Sequence, residues 1–466
     1  MANASYDIAV IGGGPAGYVA AIRAAQLGAK VVIFERDVMG GTCLNRGCIP
    51  TKTYMKTAES IQTIRHAGAR GIKVDAASLS VDMPAIVKYK NGVVKKLTDG
   101  VAALIRSNKI DSVKGEASME DETHISCNGQ LYEAKRIILC GGSVAGIIPI
   151  PGVEQKNVIT SDDILELTEV PKRLAIIGGG IIGCEIAVAF AAFGSKVTIV
   201  EALDKVAATL DGEVSNAVAK ALKAAGVELI TSAKVEKIEE NGGLPVLVVS
   251  GKAPIEADKV LLSIGRFADL SCLGKLKEKM KVERNKVVTD DYMRTNIPNI
   301  YAAGDLVFGR VMLAHAAFKM GEVAAANALG HNERVNLHYV PGCLYTLPEA
   351  ASVGLTEEQA KEKYDVAVGK FYFAANGRAI ASGETEGFVK VLVDKQYGEI
   401  LGVHMVGGLA TEMITEAAAL MAMEITAEEV ANIIHPHPTF SEAFLEAVTD
   451  ALGRCIHHPA KNRYVI

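Results

Sequence analysis

A glycine-rich segment occurs twice in this chain, and the two copies are followed by the same pattern of elements. The first copy is GGGPAG at 12–17, and the second is GGGIIG at 178–183. Each copy lies between an apolar run and a helical stretch, and a second apolar run then ends in an acid, Glu35 or Glu201. This strand–turn–helix context turns a weak glycine pattern into a dinucleotide-binding fingerprint. The repeat therefore predicts two α/β nucleotide-binding domains in one chain.

The glycines of such a fingerprint have distinct physical roles. The first permits a tight turn, the second lets the main chain approach a pyrophosphate, and the third lets the helix pack closely on the strand. The phosphates face the N-terminus of the helix, and the acid binds ribose hydroxyls. The glycines predicted to act in this way are Gly12, Gly14, Gly17, Gly178, Gly180 and Gly183.

Two dinucleotides in one chain favour a flavin and a nicotinamide that exchange electrons. The acid of the second copy distinguishes the nicotinamide cofactors, because a carboxylate at this position binds a free 2′-hydroxyl and repels a 2′-phosphate. Glu201 therefore favours NAD over NADP.

Composition excludes several other classes of protein. The 466 residues suggest roughly three domains, and a net charge of −5 gives no basic footprint for nucleic acid. No signal or transit peptide is recognised at the start, and glycines and Glu185 interrupt the apolar stretch 174–194, which argues against a membrane span. We therefore expect a cytoplasmic protein without a membrane or nucleic-acid partner, and we predict no metal site.

Two cysteines, Cys43 and Cys48, lie five residues apart in the segment GGTCLNRGCIPTK at 40–52. In a chain without a secretion signal, such a pair is catalytic, redox-sensing or metal-binding more often than a structural disulfide. A disulfide requires Cα atoms about 4.4–6.8 Å apart, whereas residues five apart in a regular helix are about 8–9 Å apart. Either the backbone departs from a regular helix, with Gly47 able to relax it, or the thiols never meet. Our hypothesis is a disulfide that is made and broken during turnover.

The C-terminal part has a different character and carries a candidate proton shuttle. From Pro341 the pattern predicts an α+β domain without a phosphate loop, and His437 stands between two prolines with Glu442 five residues later. Histidine suits proton transfer to a thiol, and a carboxylate on its other nitrogen would fix the tautomer. The alternative is a histidine-rich loop without a catalytic role. We place domain boundaries at 1–146, 147–268, 269–340 and 341–466.

Taken together, the chain resembles the flavin-dependent pyridine nucleotide–disulfide oxidoreductases, and within them the dihydrolipoyl dehydrogenases. The motifs that carry the resemblance are residues 40–52, the doubled fingerprint, Ala303-Gly304-Asp305, residues 374–379 (AANGRA), and His437-Pro438-Thr439 with Glu442. The resemblance implies an FAD domain completed by the central segment 269–340, an NAD domain, and a C-terminal dimer-interface domain.

The resemblance also implies roles for individual residues. Cys48 would lie against the flavin, Cys43 would exchange with lipoamide, and Lys52 would be paired with Glu185 near the flavin. The residues implied to contact FAD, besides the first fingerprint, are Glu35, Thr42, Lys52, Gly115, Ser143, Asp305 and Ala314. Those implied at the NAD site, besides the second fingerprint, are Glu185, Glu201, Val235 and Gly265. His437 would be the acid–base, supplied by the partner subunit of a homodimer, with Glu442 as its orienter.

The implied reaction is oxidation of protein-bound dihydrolipoamide by NAD, through FAD and a Cys43–Cys48 disulfide. The implied partner is the lipoyl domain of a 2-oxo acid dehydrogenase or of the glycine cleavage system. The alternatives are another disulfide reductase, such as glutathione reductase, and a non-catalytic flavoprotein component of a complex. One departure from the family is the segment Arg266-Phe267-Ala268-Asp269, which lacks the usual Pro-Asn and is expected to alter the nicotinamide loop.

Overall fold

The first glycine-rich segment follows the central strand of a seven-stranded sheet. The computed structural model describes residues 5–75 and 78–458. Strand Ser5–Ile11 runs parallel to Val31–Glu35 on one side and to Gln130–Leu139 on the other. Helices cover this part of the sheet, so its strands are apolar without alternation, and Ile8, Val10 and Ile33 are fully buried. The remaining strands are Asp111–Lys114 and Ile300–Ala302, which are parallel to their neighbours, and Ala117–Met119 and His124–Cys127, which are antiparallel.

The second glycine-rich segment follows the central strand of a five-stranded parallel sheet. In spatial order its strands are Glu228–Ile230, Lys196–Val200, Arg173–Ile177, Lys259–Leu262 and Val158–Thr160. One face packs against a small antiparallel sheet through the apolar cluster that includes Val200, Val260 and Leu247. The strands of that small sheet are Val235–Asn241, Leu244–Val249 and Ile255–Glu256.

The C-terminal part contains a third, antiparallel sheet. In spatial order its strands are Gly342–Leu344, Glu349–Gly354, Ile400–Gly407, Phe388–Asp394 and Val366–Tyr372. Helices Ala410–Ala422 and Glu442–Ala451 pack against it, and all residues of the two central strands are buried. This sheet and the two sheets that carry the glycine-rich segments confirm the predicted fold class, two Rossmann-like domains with a C-terminal α+β domain.

The helices connect the sheets and position the glycine turns and the cysteine pair. The other α-helices are Pro15–Gln26, Gly41–Arg46, Cys48–His66, Met83–Ser107, Ser161–Ile164, Ile181–Phe193, Gly212–Ala224, Ala314–Ala328, Glu357–Lys361, Gly377–Ser382 and Ala427–Val430. Short 3₁₀ helices lie at Ala67–Arg70, Ser271–Leu276, Gly304–Leu306 and Phe373–Ala375, and two-residue strands pair at Val282–Glu283 and Lys286–Val287. Within the described ranges, we find no helix with the length and apolar character that crossing a membrane requires.

Buried charges join the second nucleotide-binding sheet to the C-terminal sheet. The Lys390 ammonium, on a central strand of the C-terminal sheet, lies 3.0 and 3.1 Å from the two carboxylate oxygens of Asp211, and both side chains are almost completely buried. Asp211 also accepts from the main-chain N–H of Glu213 at the start of helix Gly212–Ala224, and Glu357 adds a second carboxylate 2.5 Å from Lys390. Charged side chains are tolerated in the interior of a protein when they are paired in this way. This ion pair therefore holds the second nucleotide-binding domain against the C-terminal domain.

One helix is less exposed than its lysine content suggested. We expected residues 81–105 to form a solvent-exposed helix, and helix Met83–Ser107 does form there. Its Lys90 side chain is nevertheless fully buried, where it donates to the carbonyl oxygen of Leu165 at 2.8 Å and pairs with Glu166. The expectation was wrong for Lys90 because the two groups that accept its hydrogen bonds, on Leu165 and Glu166, are too distant in the sequence to be recognised as partners.

Candidate active site

The first glycine of each fingerprint lies in a turn that excludes a side chain. Gly12 and Gly178 have φ of +107° and +105°, a region that side chains disfavour. A Cβ on Gly12 would lie 2.1 Å from the Cys140 carbonyl oxygen, and one on Gly178 would lie 2.3 Å from that of Ser263. The first glycines of the two turns thus share nearly the same φ and the same steric exclusion of a side chain.

The other glycines leave the start of each helix open. A Cβ on Gly17 would lie 1.7 Å from the Gly12 carbonyl oxygen, and the equivalent contact of Gly183 would be 2.2 Å, so the helices approach the turns closely. Gly14 and Gly180 are the N-cap residues, and no side chain of the described ranges caps either helix. Free main-chain N–H groups at a helix start, beside residues without side chains, form a cradle that fits a pyrophosphate.

The acid after each fingerprint is held by the main chain. Glu35 uses one carboxylate oxygen to accept from the N–H of Gly13 at 2.7 Å and the other to accept from Asp37 at 2.8 Å. Glu201 accepts in the same way from Gly179 at 2.6 Å and from Leu203 at 2.8 Å. Each acid is therefore fixed beside its cradle, at the place where a ribose would lie. These donor sets fit FAD and NAD as ligands.

The backbone between the two cysteines departs from a regular helix. Helix Gly41–Arg46 ends and helix Cys48–His66 begins at Gly47, whose φ and ψ are −138° and −105°. This break is the departure from a regular helix that a Cys43–Cys48 disulfide would require at this spacing. Cys43 and Cys48 are both half-buried and carry free thiols in this structure.

The two thiols differ in acidity. The hydrogen bond from Cys43 and the positive charge of Lys52 lower the pKa of the Cys48 thiol to about 7, although burial opposes this shift. The same hydrogen bond, together with burial, raises the pKa of Cys43. Cys48 is therefore the thiolate of the pair near neutral pH, and the thiolate is the reactive form in exchange chemistry.

The lowered pKa predicts how Cys48 reacts with an alkylating reagent. In a Cys43→Ser variant, which keeps a hydroxyl donor and cannot form a disulfide, iodoacetamide should label Cys48 with a rate that rises with pH through about 7. An unperturbed thiol would instead follow a pKa of about 8.5. A second substitution, Lys52→Met, should move the midpoint to higher pH because it removes a positive charge. Labelling is read by peptide mass spectrometry, and a midpoint above pH 8 in Cys43→Ser would contradict the assignment.

Lys52 connects the cysteine segment to the second nucleotide-binding domain. Its ammonium lies 2.9 and 3.1 Å from the two carboxylate oxygens of Glu185, on helix Ile181–Phe193, and 4.3 Å from the ring centre of Tyr345. Glu185 is almost completely buried and also accepts from the main-chain N–H of Tyr345. The Lys52–Glu185 pair thus lies where all three domains meet.

Ser143 and Asp305 form a second polar contact near the cysteine segment. The Ser143 hydroxyl donates to the Asp305 carboxylate at 2.5 Å, and it accepts from Arg266 Nε at 2.9 Å. Asp305 does not cap the next helix, which begins at Ala314 after Leu313 and has no side-chain cap.

The remaining predicted nucleotide-site residues are Gly115 and Val235, which lie near the two acids in the fold, and Gly265 and Ala314. The main-chain N–H of Gly115 donates to the Glu35 carbonyl oxygen at 2.9 Å. Val235 begins a strand two residues after Ala233, whose N–H donates to the Glu201 carbonyl oxygen at 3.0 Å. Gly265, with φ of +102°, directly precedes Arg266. Ala314 is the first residue of helix Ala314–Ala328, and it is half-buried.

His437 and Glu442 form a pair at the surface of the C-terminal domain. Nδ1 of His437 lies 2.8 Å from one carboxylate oxygen of Glu442, and the N–H of Thr439 donates to the other at 2.8 Å. Although burial alone raises the pKa of Glu442, these two hydrogen bonds lower it below its usual value. The His437 side chain is 78% exposed, and no hydrogen bond or ion pair within the described ranges joins it to the thiols of its own chain. The pair is therefore oriented, with Nε2 directed away from its own carboxylate.

Two residues of this region were missed as site residues by the sequence analysis. Tyr345 stacks against Lys52, and Arg266 bonds both Ser143 and Thr42. Both act through partners more than 100 residues distant, and no local spacing reveals such contacts.

Comparison with known proteins agrees with this geometry. Residues 6–321 match the family described as pyridine nucleotide-disulphide oxidoreductase, and residues 340–448 match the dimerisation domain of that family. The chain is 39% identical to a dihydrolipoyl dehydrogenase of Bacillus subtilis (strain 168), with 97% of this chain and 99% of that protein covered. It is 41% identical to one of Geobacillus stearothermophilus, with 96% of each covered. Among solved structures, the HOCl-induced flavoprotein disulfide reductase RclA from Escherichia coli superimposes with a TM-score of 0.86 at 28% identity, covering 95% of this chain and 99% of that one.

These matches confirm the resemblance that the motifs indicated, including the resemblance to dihydrolipoyl dehydrogenases. They confirm the predictions of an oxidoreductase with FAD and NAD as its cofactors. The match to a dimerisation domain supports the predicted homodimer. The chain belongs to the pyridine nucleotide-disulphide oxidoreductase family.

Proposed function

We propose that the chain is a dihydrolipoyl dehydrogenase, which oxidises dihydrolipoamide with NAD as the final acceptor. The observation that carries the proposal is the cysteine pair, in which two half-buried thiols flank a helix break and the pKa of Cys48 is lowered by its surroundings. The likeness to dihydrolipoyl dehydrogenases over nearly the whole chain supports the substrate. Glu201, fixed beside the second cradle, supports NAD over NADP.

The thiols perform disulfide exchange. A dihydrolipoamide thiolate attacks Cys43 of the Cys43–Cys48 disulfide, and Cys48 leaves as a thiolate, which its pKa of about 7 favours. The second lipoyl thiolate then attacks the mixed disulfide and releases Cys43. Two electrons have passed to the protein, which is now a dithiol, and the lipoyl group has become a disulfide.

His437 is the general acid–base of this exchange. Its Nδ1 is occupied by Glu442, so Nε2 is the atom that takes the proton from the lipoyl thiol. The Glu442 carboxylate, with its lowered pKa, stabilises the resulting imidazolium. Because His437 is exposed in its own chain, we assign it to the cysteine pair of the partner subunit in the homodimer.

Bound FAD and NAD would supply the hydride and electron transfer that side chains cannot perform. We propose that FAD is held by Gly12, Gly14, Gly17, Glu35, Thr42, Lys52, Gly115, Ser143, Asp305 and Ala314. We propose that NAD is held by Gly178, Gly180, Gly183, Glu185, Glu201, Val235 and Gly265. The ion pair with buried Glu185 holds the positive charge of half-buried Lys52 beside the Cys48 thiolate.

The partner that presents the substrate is proposed to be a lipoyl domain, of a 2-oxo acid dehydrogenase or of the glycine cleavage system. We propose this partner on the strength of the reaction.

Steady-state kinetics on the purified FAD-loaded protein test this function. We expect reduction of NAD by dihydrolipoamide, with kcat/KM for NAD at least about 100-fold above that for NADP, because Glu201 repels a 2′-phosphate. The same preparation should reduce glutathione disulfide with NADPH only at background level. A preference for NADPH and glutathione disulfide would replace the proposal by a glutathione reductase. Absence of both activities in FAD-loaded protein would favour a non-catalytic component.

A further inference from the structure

The chain passes between its two nucleotide-binding sheets through a two-stranded ribbon. Strand Ser143–Ala145 follows the first sheet and leads into the second domain, and strand Arg266–Ala268 returns antiparallel to it. At the open end, the N–H of Gly146 donates to the Gly265 carbonyl oxygen at 2.9 Å. A Cβ on Gly146 would lie 2.8 Å from that oxygen, so the two crossings are in close contact. The segment 266–269 that lacks the family's Pro-Asn therefore forms part of this ribbon.

The Arg266 side chain bonds groups on both sides of the ribbon. Its Nε donates to the Ser143 hydroxyl at 2.9 Å, and its Nη2 donates to the Ser143 carbonyl oxygen at 2.8 Å. The same Nη2 donates to the Thr42 hydroxyl at 3.2 Å. The side chain is only 14% exposed, and a planar guanidinium holds several acceptors in a fixed relation.

These contacts connect four separate segments. Thr42 directly precedes Cys43, and Ser143 passes the connection to Asp305 through its 2.5 Å hydrogen bond. Nη1 of Arg266 also lies 3.7 Å from the Asp162 carboxylate, in the second nucleotide-binding domain. Arg266 is thus the side chain that joins the cysteine segment to the crossing between the domains.

The cysteine segment depends on contacts of this kind. Helix Gly41–Arg46 has six residues, begins after Gly40 with φ of +98°, and none of its residues is fully buried. So short a helix has little stability of its own, and its position is set by the groups that hold it. Thr42 is in its first turn, so a bond to Thr42 fixes the end that carries Cys43.

We propose that Arg266 is a positioning residue for disulfide exchange, holding the Thr42–Cys43 end of the cysteine segment so that Cys43 meets the substrate sulfur. The inference rests on the proposed function, because it assigns Arg266 to the half of the reaction that uses the thiols. Arg266 itself touches no reacting atom. Its loss should therefore impair exchange with the lipoyl group and spare electron transfer from NADH to an acceptor that bypasses the thiols.

The test compares two activities of one Arg266→Met variant, each per bound flavin. We expect kcat/KM for dihydrolipoamide to fall about 10- to 100-fold, the range produced by small misplacement of a reacting group. Oxidation of NADH by ferricyanide, which needs no thiol, should change by less than about twofold. Arg266→Lys should recover only part of the lost activity, because one ammonium cannot bond Ser143 and Thr42 together.

Two further variants locate the effect. Phe267→Ala, at the exposed neighbouring position of the same strand, is the matched control and should leave both activities unchanged. Thr42→Val removes only the acceptor on the cysteine segment. In the double variant, the decrease in kcat/KM for dihydrolipoamide should not exceed that of Arg266→Met alone, because both substitutions remove the same Arg266–Thr42 contact.

Each outcome decides the inference. Equal loss of both activities in Arg266→Met would show a general structural role and overturn it, as would unchanged dihydrolipoamide turnover or full additivity with Thr42→Val. If the unaltered protein itself reduces ferricyanide with NADH and does not oxidise dihydrolipoamide, the proposed function fails. That result differs from any in which only the variants depart from expectation.

Discussion

Replacement of Cys48 by serine is expected to abolish dihydrolipoamide oxidation and to leave bound FAD in place. The serine hydroxyl fits the same space, but it does not ionise near neutral pH as the Cys48 thiol does. It also cannot form a disulfide with Cys43, so the two electrons have no acceptor. We expect kcat to fall by about 10³-fold or more, as when a catalytic nucleophile is removed. The measurements are NAD reduction by dihydrolipoamide and flavin content by absorbance.

Spectra and a control variant separate this effect from misfolding. Anaerobic titration with dihydrolipoamide should produce a long-wavelength thiolate–flavin absorption band in the unaltered protein and none in Cys48→Ser. Cys455→Ser is the matched control, because its hydroxyl can keep the hydrogen bond to Glu446 and Cys455 is not one of the predicted site residues. Unchanged dihydrolipoamide turnover in Cys48→Ser would refute the redox role of the pair.

Replacement of His437 by glutamine is the second large effect. Glutamine retains a hydrogen-bonding group of similar size, but it cannot take a proton from the lipoyl thiol. We expect kcat for dihydrolipoamide to fall by about 10²- to 10⁴-fold, the usual contribution of a general acid–base. NADH oxidation by ferricyanide should be unaffected, because no thiol proton is transferred. Loss of both activities would instead indicate a structural role for the loop.

A mixed dimer tests whether His437 serves the partner subunit. Co-refolding Cys48→Ser with His437→Gln chains should give hybrids in which one site combines the intact thiols of one chain with the intact histidine of the other. With random pairing, about a quarter of all sites would be active, although each parent is inactive. If His437 served the thiols of its own chain, every hybrid site would lack one group, and activity would stay at the parental level.

Much of the fold was predictable because its signals are local. The two fingerprints place strand, turn, helix and acid within a few tens of residues. At Gly12 and Gly178, close contact with main-chain atoms requires glycine at these positions. The break at Gly47 is one of the two outcomes that the cysteine spacing allowed, since a regular helix keeps residues five apart beyond disulfide reach. The His437–Glu442 pair was likewise expected from short spacing, and the two side chains do meet.

Contacts between distant segments could not be predicted in this way. The lysines around Lys90 predict a solvent-exposed helix. The Lys90 ammonium is instead buried against Leu165 and Glu166, some 75 residues further along the chain. Arg266 bonds Ser143 and Thr42 across 123 and 224 residues, and no periodicity records such a separation. Assigning Asp305 to its partner required the strand order, which brings Ser143 beside it. Such partners become visible only when the sheets are assembled.

The main-chain clamp on the second acid limits how the cofactor preference can be re-engineered. Glu201 not only faces the expected ribose but also accepts from the N–H groups of Gly179 and Leu203, which hold the turn after its strand. A single exchange of this acid for a neutral or basic residue would leave both donors without their acceptor, at a cost of about 1–3 kcal/mol for each that stays buried. Converting the enzyme to NADP therefore calls for transplanting the whole turn that follows the strand, so that the new residues satisfy the glycine loop as well as the phosphate.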